Sequence, residues 1–133
     1  MGLIALIMFV NWQHEQSISA AITQGDAEIT FYESSHSFGD INSDGGTAQY
    51  SFEFSNTGTS PLVITNISTW CDCVTGDYPE HPIMPGKKAK IKVSYDPKGK
   101  EGDFTQVLTI ISNARHSHSQ LIISGNVKRN KDE

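Results

Sequence analysis

Polar and apolar side chains alternate along several short segments of this chain. Tyr50, Phe52 and Phe54 alternate with Ser and Glu, and lysines alternate with apolar residues between positions 88 and 95. Because successive side chains of a β-strand point to opposite faces of the sheet, each segment predicts a strand with one apolar and one polar face. Two such sheets must stack to bury their apolar faces, which predicts a β-sandwich.

Turn residues divide the chain into about seven such segments, with no amphipathic helix between them. Short strands at this spacing are typical of an immunoglobulin-like β-sandwich, an all-β fold, and a β-barrel is the structural alternative. Gly39 predicts a bulge or kink in the second strand, and a slip in the alternation near Asn66 predicts another in the fourth. The predicted strands cover residues 28–32, 37–41, 48–55, 62–70, 88–95, 104–112 and 121–127.

Two local features complete this description of the chain. Asn56 and Gly58 are predicted to end the third strand, because Asn tolerates left-handed backbone and Gly adopts it freely. The three prolines between Pro79 and Pro85 predict a loop or an edge segment, since proline gives no donor to a sheet.

The length and charge of the chain limit its class and its partners. Its 133 residues fit one domain, and its formal net charge of −5 is mildly acidic. The ten Lys and Arg residues are scattered or follow one strand face, without clustering among aromatic residues. This distribution argues against nucleic acid as a partner.

An apolar run, Gly2–Val10, opens the chain. It is far shorter than the roughly 20 residues that span a bilayer as a helix. Small residues at 17–21 follow it, which favours a signal peptide over residues 1–21 and export of the remainder. The alternative is an N-terminal strand or tail of a cytosolic protein, because no Lys or Arg precedes the run. Membrane contact is expected only through this segment, if it stays uncleaved.

With residues 1–21 removed, the sandwich is predicted to occupy residues 22–127. A charged tail, 128–133, follows it and is predicted to fray.

Cys71 and Cys73 are the main candidates for chemistry. In a regular strand their Cα atoms would lie about 6.6 Å apart, near the upper limit for a disulfide, so closure requires a bend. An exported protein meets oxidising conditions, which favours a disulfide between them. Two close thiolates could instead bind a soft ion such as copper(I), with His81 as a further ligand. A third interpretation is a pair of small, partly buried side chains beside Trp70, which is itself predicted to lie in the core.

Other residues carry weaker signals. His116 and His118 could chelate a metal if their segment were extended, but the sequence around them favours a loop. The row Lys88, Lys90 and Lys92 is interpreted as a guard against strand addition at a sheet edge, or as a contact stripe for an acidic partner.

An ordered set of motifs resembles domain-of-unknown-function family 1573 (DUF1573) over residues 28–127. The motifs are Phe38-Gly-Asp-Ile41, Phe52-Glu-Phe54-Ser-Asn56-Thr-Gly58, Pro61-Leu-Val-Ile64, Cys71-Asp-Cys73, Ile83-Met-Pro85-Gly86, Ile91-Lys-Val93-Ser-Tyr95 and Ser112-Asn113. That family is similar in architecture to major sperm protein and Hydin-type immunoglobulin-like domains. The resemblance implies a sandwich and the envelope of a Gram-negative bacterium, without an activity. The family pattern has Cys-Gly-Cys-Thr where this chain has Asp72 and Val74.

The sequence contains no phosphate-binding loop, nucleophile elbow or zinc-protease motif. We therefore expect a non-catalytic protein, periplasmic or secreted, that needs no cofactor and either binds a protein partner in the cell envelope or serves as a structural element of it. The alternative is a thiol redox or copper-handling protein that uses Cys71 and Cys73.

Overall fold

The computed structural model describes residues 26–129. The segment predicted as a signal peptide, 1–21, and the end of the predicted tail, 130–133, lie outside the described residues. Within 26–129 the chain forms eight β-strands and no helix, so no helix there is able to cross a membrane. The strands are β1 (Ile29–Phe31), β2 (Ser35–Asn42), β3 (Ala48–Asn56), β4 (Ile64–Thr69), β5 (Val74–Asp77), β6 (Lys88–Tyr95), β7 (Gly102–Ser112) and β8 (His118–Lys128).

Two four-stranded sheets make up the fold. The first sheet has the order β1-β3-β6-β5, and the second has the order β2-β8-β7-β4. All neighbours are antiparallel except β2 and β8, which run parallel. The predicted all-β sandwich is confirmed, with one strand more than the sequence predicts.

The first two strands of the described residues, β1 and β2, lie in different sheets. β1 pairs with β3 in the first sheet, and β2 then pairs with β8 in the second. Gly39 has a φ of +68°, and the register of β2 shifts between Ser37 and Asp40, so the bulge predicted there is confirmed. The register of β4 also shifts between Ile64 and Asn66, which confirms the second predicted bulge.

The core lies between the two sheets. Phe52 and Phe54 are buried as predicted, whereas Tyr50 is half-buried and packs against the edge of the core. The ring of Tyr95 stacks on Phe104 with centroids 3.9 Å apart, which joins the sheets at one end. Each large buried apolar side chain contributes about 1.5–3 kcal/mol to folding. The fully buried apolar residues also include Leu62, Ile91, Val93, Leu108, Ile110, Leu121, Ile123 and Val127.

The turn after β3 differs from its prediction. Neither Asn56 nor Gly58 adopts a left-handed backbone. Asn56 is instead fully buried, and its side chain accepts hydrogen bonds from the amides of Glu28 and Gly58 and donates to two carbonyl oxygens. A Cβ at position 58 would overlap the carbonyl oxygen of Asp26 and lie 2.6 Å from the nitrogen of Glu28. Glycine is required there by close approach of the N-terminal backbone, not by its own φ.

Candidate functional site

A tight turn between β4 and β5 holds the two cysteines. Cys71 and Cys73 are joined by a disulfide, with Cα atoms 5.1 Å apart. The amide of Val74 donates to the carbonyl oxygen of Cys71 at 3.1 Å. This hydrogen bond closes the bend that a disulfide between cysteines two positions apart requires. The amide of Asp96 donates to the carbonyl oxygen of Cys73 at 2.8 Å and ties the turn to the end of β6. Both cysteines are half-buried against the core, so the turn is fixed on both sides.

His81 lies far from this turn. Val74 pairs with Tyr95 at the Ala48 end of β3, whereas Ile83 accepts a hydrogen bond from Asn56 at the other end of β3. His81 is exposed in the loop just before Ile83. Among residues 26–129 no group of three His, Cys, Asp or Glu side chains is placed to hold a metal ion. The structure therefore does not bring His81 together with the cysteine pair.

Trp70 is 96% exposed, so the prediction that it lies in the core is wrong. Ile67 packs against the core, and alternation along β4 then turns Thr69 inward and Trp70 outward. The disulfide turn begins with the next residue and provides no cover for the indole. Counting faces from Ile67 would have found this in the sequence, because residues three apart in a strand lie on opposite faces.

The outer face of the second sheet carries no Asp, Glu, Lys or Arg between its two ends. Alternation and register place hydroxyl residues, amides and exposed or half-exposed aliphatics there, together with the indole of Trp70 and the imidazole of His118. Val107 pairs with Ile122. Thr69, the last residue of β4, pairs with Leu108, so the next residue, Trp70, lies beside Val107, and the three side chains form an apolar row across the sheet. We call this surface the uncharged face. It consists of Ser35, Ser37, Asn66, Ser68, Trp70, Thr105, Val107, Thr109, Ile111, His118, Gln120, Ile122 and Ser124.

The outer face of the first sheet is charged instead. Lys88, Lys90 and Lys92 point outward from β6, with Glu53 opposite Lys90 and Asp77 opposite Lys92. β6 lies between β3 and β5, and β5 pairs with Lys92–Tyr95, so Lys92 does not guard a sheet edge as predicted. The two outer faces of the sandwich thus differ sharply in charge.

The paired histidines lie where the chain turns from β7 to β8. His116 is exposed in the turn, and His118 begins β8 opposite Ile111. The ring Nδ1 of His118 lies 2.9 Å from the hydroxyl oxygen of Ser117. The predicted loop position is confirmed for His116, whereas His118 belongs to the uncharged face.

An aromatic cluster that the sequence does not predict lies at the edge of the core. The ring of His36 stacks on Tyr50, with centroids 3.6 Å apart and planes 8° from parallel. The Tyr50 hydroxyl donates to a carboxylate oxygen of Glu33 at 2.6 Å. This hydrogen bond, together with partial burial and the nearby negative charge, raises the pKa of Tyr50 above its ordinary value. No sequence signal gives this contact, because it joins β3 to the segment where the chain changes sheets.

Several solved structures are similar to this chain in fold. A protein of unknown function from Porphyromonas gingivalis W83 matches with a TM-score of 0.66 and 19% identity, over 75% of this chain and 46% of that one. The PapD-like domain 7 of human CEP192 matches with a TM-score of 0.64 and 12% identity, over 79% of this chain and 88% of that one. The YadV chaperone matches with a TM-score of 0.51 and 14% identity, over 76% of this chain and 52% of that one.

These likenesses show the fold alone, a PapD-like, immunoglobulin-like sandwich. The chain spans about half the length of the Porphyromonas gingivalis protein. No curated protein matches it in sequence. A family model described as a protein of unknown function matches residues 29–127, nearly the whole of the described sandwich. The chain therefore belongs to the DUF1573 family.

Proposed function

We propose that this protein is a non-catalytic, exported module of the bacterial cell envelope that works by binding another protein. The exposed indole of Trp70 carries the proposal. Tryptophan is among the residues most enriched in the energetic centres of protein interfaces, and a soluble domain seldom leaves one uncovered. Here Trp70 directly precedes a turn fixed by a disulfide and by two backbone hydrogen bonds, so little backbone entropy is lost when a partner covers the indole.

The disulfide supports a location outside the cytoplasm. Disulfides persist in the periplasm and in secreted proteins and are reduced in most cytosols. The periplasm or the extracellular space is therefore the proposed location. Removal of residues 1–21 belongs to the same proposal, and mass spectrometry of the N-terminus in a periplasmic extract tests it.

Site-specific photo-crosslinking tests the contact function. A photoreactive amino acid replaces Trp70 in the full chain, and the matched control carries it at Lys90, on the outer face of the other sheet. Crosslinking in living cells is expected to yield discrete products from position 70 and few from position 90. Equal or absent products at both positions would contradict a contact role for Trp70.

A second function, in thiol redox chemistry, is favoured by one contact. The amide of Cys73 donates to the sulfur of Cys71 at 3.1 Å. In the reduced protein the same donor would stabilise a Cys71 thiolate, the form that attacks disulfides and binds copper(I). Equilibration with glutathione buffers, and anaerobic copper(I) titration of the reduced protein, test this alternative. A disulfide that withstands the buffers, with no copper bound after forced reduction, would leave only the structural role.

A further inference from the structure

We propose that the uncharged face binds the same face of a second copy of this chain. This inference rests on the proposed contact function and names the partner. It starts from composition: the chain has a net charge of −5, yet the uncharged face contains no Asp, Glu, Lys or Arg, and the charged residues of that sheet surface, Asp40, Asp103 and Lys128, lie beyond it at one end. Interfaces are depleted of charge at their centres and enriched in tryptophan, and this face has both properties.

The apolar row lies near the middle of this face. Val107 and Ile122 occupy the two central strands, β7 and β8, and Trp70 continues the row to the β4 edge. Neither Val107 nor Ile122 packs against the core, so both are free to be covered from outside. In a contact between two copies, these side chains would form the desolvated centre.

The flanking polar residues are self-complementary. Ser68 pairs with Thr109, and Thr109 pairs with Gln120, so a row of hydroxyl and amide groups lies next to the apolar row. Each of these groups both donates and accepts hydrogen bonds, and can therefore bond to an identical group. A two-fold symmetric interface requires such self-complementarity.

The outer face of the first sheet lacks this property. If two copies met through this face, Lys88, Lys90 and Lys92 and the carboxylates beside them would have to lose water, which costs free energy. Carboxylates also limit the uncharged face at one end, where Asp103 accepts a 2.6 Å hydrogen bond from Asn126. The distribution of charge therefore selects one surface for self-association.

The size of the face sets the expected affinity. Three to four strands about 4.8 Å apart, over about seven residues of 3.4 Å each, give roughly 400 Å² of flat area per copy. Protruding side chains, Trp70 among them, enlarge this area. The surface buried on both copies together still stays at the low end of stable interfaces, about 1,200 Å². The dimer is therefore expected to be weak, with a Kd of about 10 µM to 1 mM.

Sedimentation of two opposite charge variants tests the proposal. The proteins are isolated from cells that produce the full chain: the parent, Ile122→Glu, Ile122→Lys and the control Lys90→Glu. The parent and the control are expected to dimerise over the concentration range of about 10 µM to 1 mM, and each Ile122 variant alone at least about tenfold more weakly. A mixture of the two Ile122 variants is expected to regain association, because opposite charges then meet near the two-fold axis. Circular dichroism confirms that each variant is folded.

A parent protein that stays monomeric to about 1 mM would overturn self-association, as would Ile122 variants that dimerise as the parent does or a mixture that gains nothing. If such a monomer still crosslinks to other proteins from position 70, the contact function stands and only the choice of a second copy fails. If crosslinking also fails, the contact function fails with it.

Discussion

The side-chain amide of Asn56 donates a 2.8 Å hydrogen bond from Nδ2 to the carbonyl oxygen of Ile83. The same nitrogen donates to the carbonyl oxygen of Ser60 at 2.8 Å, and the side-chain oxygen accepts from the amides of Glu28 and Gly58. One buried side chain thus joins the start of β1, the turn after β3 and the loop before β6. Backbone hydrogen bonds also link these segments, from the amide of Thr57 to Glu28 and between Leu62 and Ile83, and the Asn56 side chain adds a buried junction among them.

Replacement of Asn56 by Ala is expected to lower the free energy of unfolding by about 3 kcal/mol or more, because four backbone groups lose their partner and some stay buried. The matched control is Asn113→Ala, whose exposed side chain also bonds two backbone groups, the amide of Val63 and the carbonyl oxygen of Pro61. Since water reaches those groups, Asn113→Ala should lower the free energy of unfolding by only about 1 kcal/mol. Urea unfolding followed by circular dichroism measures both, and similar losses would show that burial of Asn56 has no special effect.

Gly58→Ala tests the close approach between this turn and the N-terminal segment. The added methyl would lie 2.6 Å from the nitrogen of Glu28, so the backbone must move, and we expect a loss of about 1–3 kcal/mol. In the control Gly45→Ala, the nearest atom to the new methyl is the carbonyl oxygen of Asn42 at 3.2 Å, so a smaller loss is expected. The same urea titration compares them, and a neutral Gly58→Ala variant would show that the N-terminal segment yields easily.

The features that the sequence predicted correctly depend on local order. Alternation within six to nine residues identified the long strands, Gly39 identified the bulge in β2, and a slip in alternation near Asn66 identified the bulge in β4. β5 escaped prediction because Val74–Asp77 includes a glycine and an aspartate, both poor strand formers. The pairing of β5 with Lys92–Tyr95 overrides that preference. Glycine also fits the packing at position 76, because a Cβ there would lie only 2.8 Å from the side chain of Ile67.

The candidate site was predicted only in part. The sequence identified Cys71 and Cys73 and the need for a bend, because both follow from spacing alone. It did not identify the bonds of Asn56 or the contact between Tyr50 and Glu33, because each joins segments distant along the chain. The charge contrast between the two outer faces also needed the strand order, which the sequence did not provide.

The disulfide closes a loop of only three residues, so it should contribute little to global stability. The loop-entropy relation gives about 1.6 kcal/mol at 25 °C for such a loop. We expect the double variant Cys71→Ser/Cys73→Ser to unfold at slightly lower urea concentration, with a loss of about 1–2 kcal/mol. Adding a reductant to the parent should reproduce the shift and leave the double variant unchanged. Complete unfolding of the double variant or of the reduced parent would mean that the sandwich depends on this disulfide.

Tyr50 should titrate at higher pH than an ordinary tyrosine, because its hydroxyl bonds Glu33. The folded protein then keeps this proton to a higher pH than the unfolded chain does. The contribution to stability is therefore complete below the ordinary pKa of 10.0 and is lost as the pH rises through the folded-state pKa. Glu33→Ala should lower the pKa of Tyr50 toward 10.0, measured by ultraviolet absorbance of tyrosinate.

Tyr95 provides an internal reference in that titration, since burial and the charge of Asp96 raise its pKa independently of Glu33. The control Glu53→Ala removes a carboxylate from β3 without touching the Tyr50 hydroxyl. A titration curve for Glu33→Ala that overlays the parent would contradict the assigned hydrogen bond.

Trp70 separates stability from binding, because its side chain is almost fully exposed. Trp70→Ala should change the free energy of unfolding by no more than about 0.5 kcal/mol, whereas Phe52→Ala should cost about 3–5 kcal/mol. In a Trp12→Phe background Trp70 is the sole tryptophan, so its fluorescence in the dilute monomer should be quenched by acrylamide nearly as strongly as that of the unfolded chain. A large loss of stability, or strong protection from acrylamide in the dilute monomer, would show that the indole packs within the folded monomer and is not free to contact a partner. If the variant is stable and self-association weakens, the indole is retained for binding, because folding does not require it.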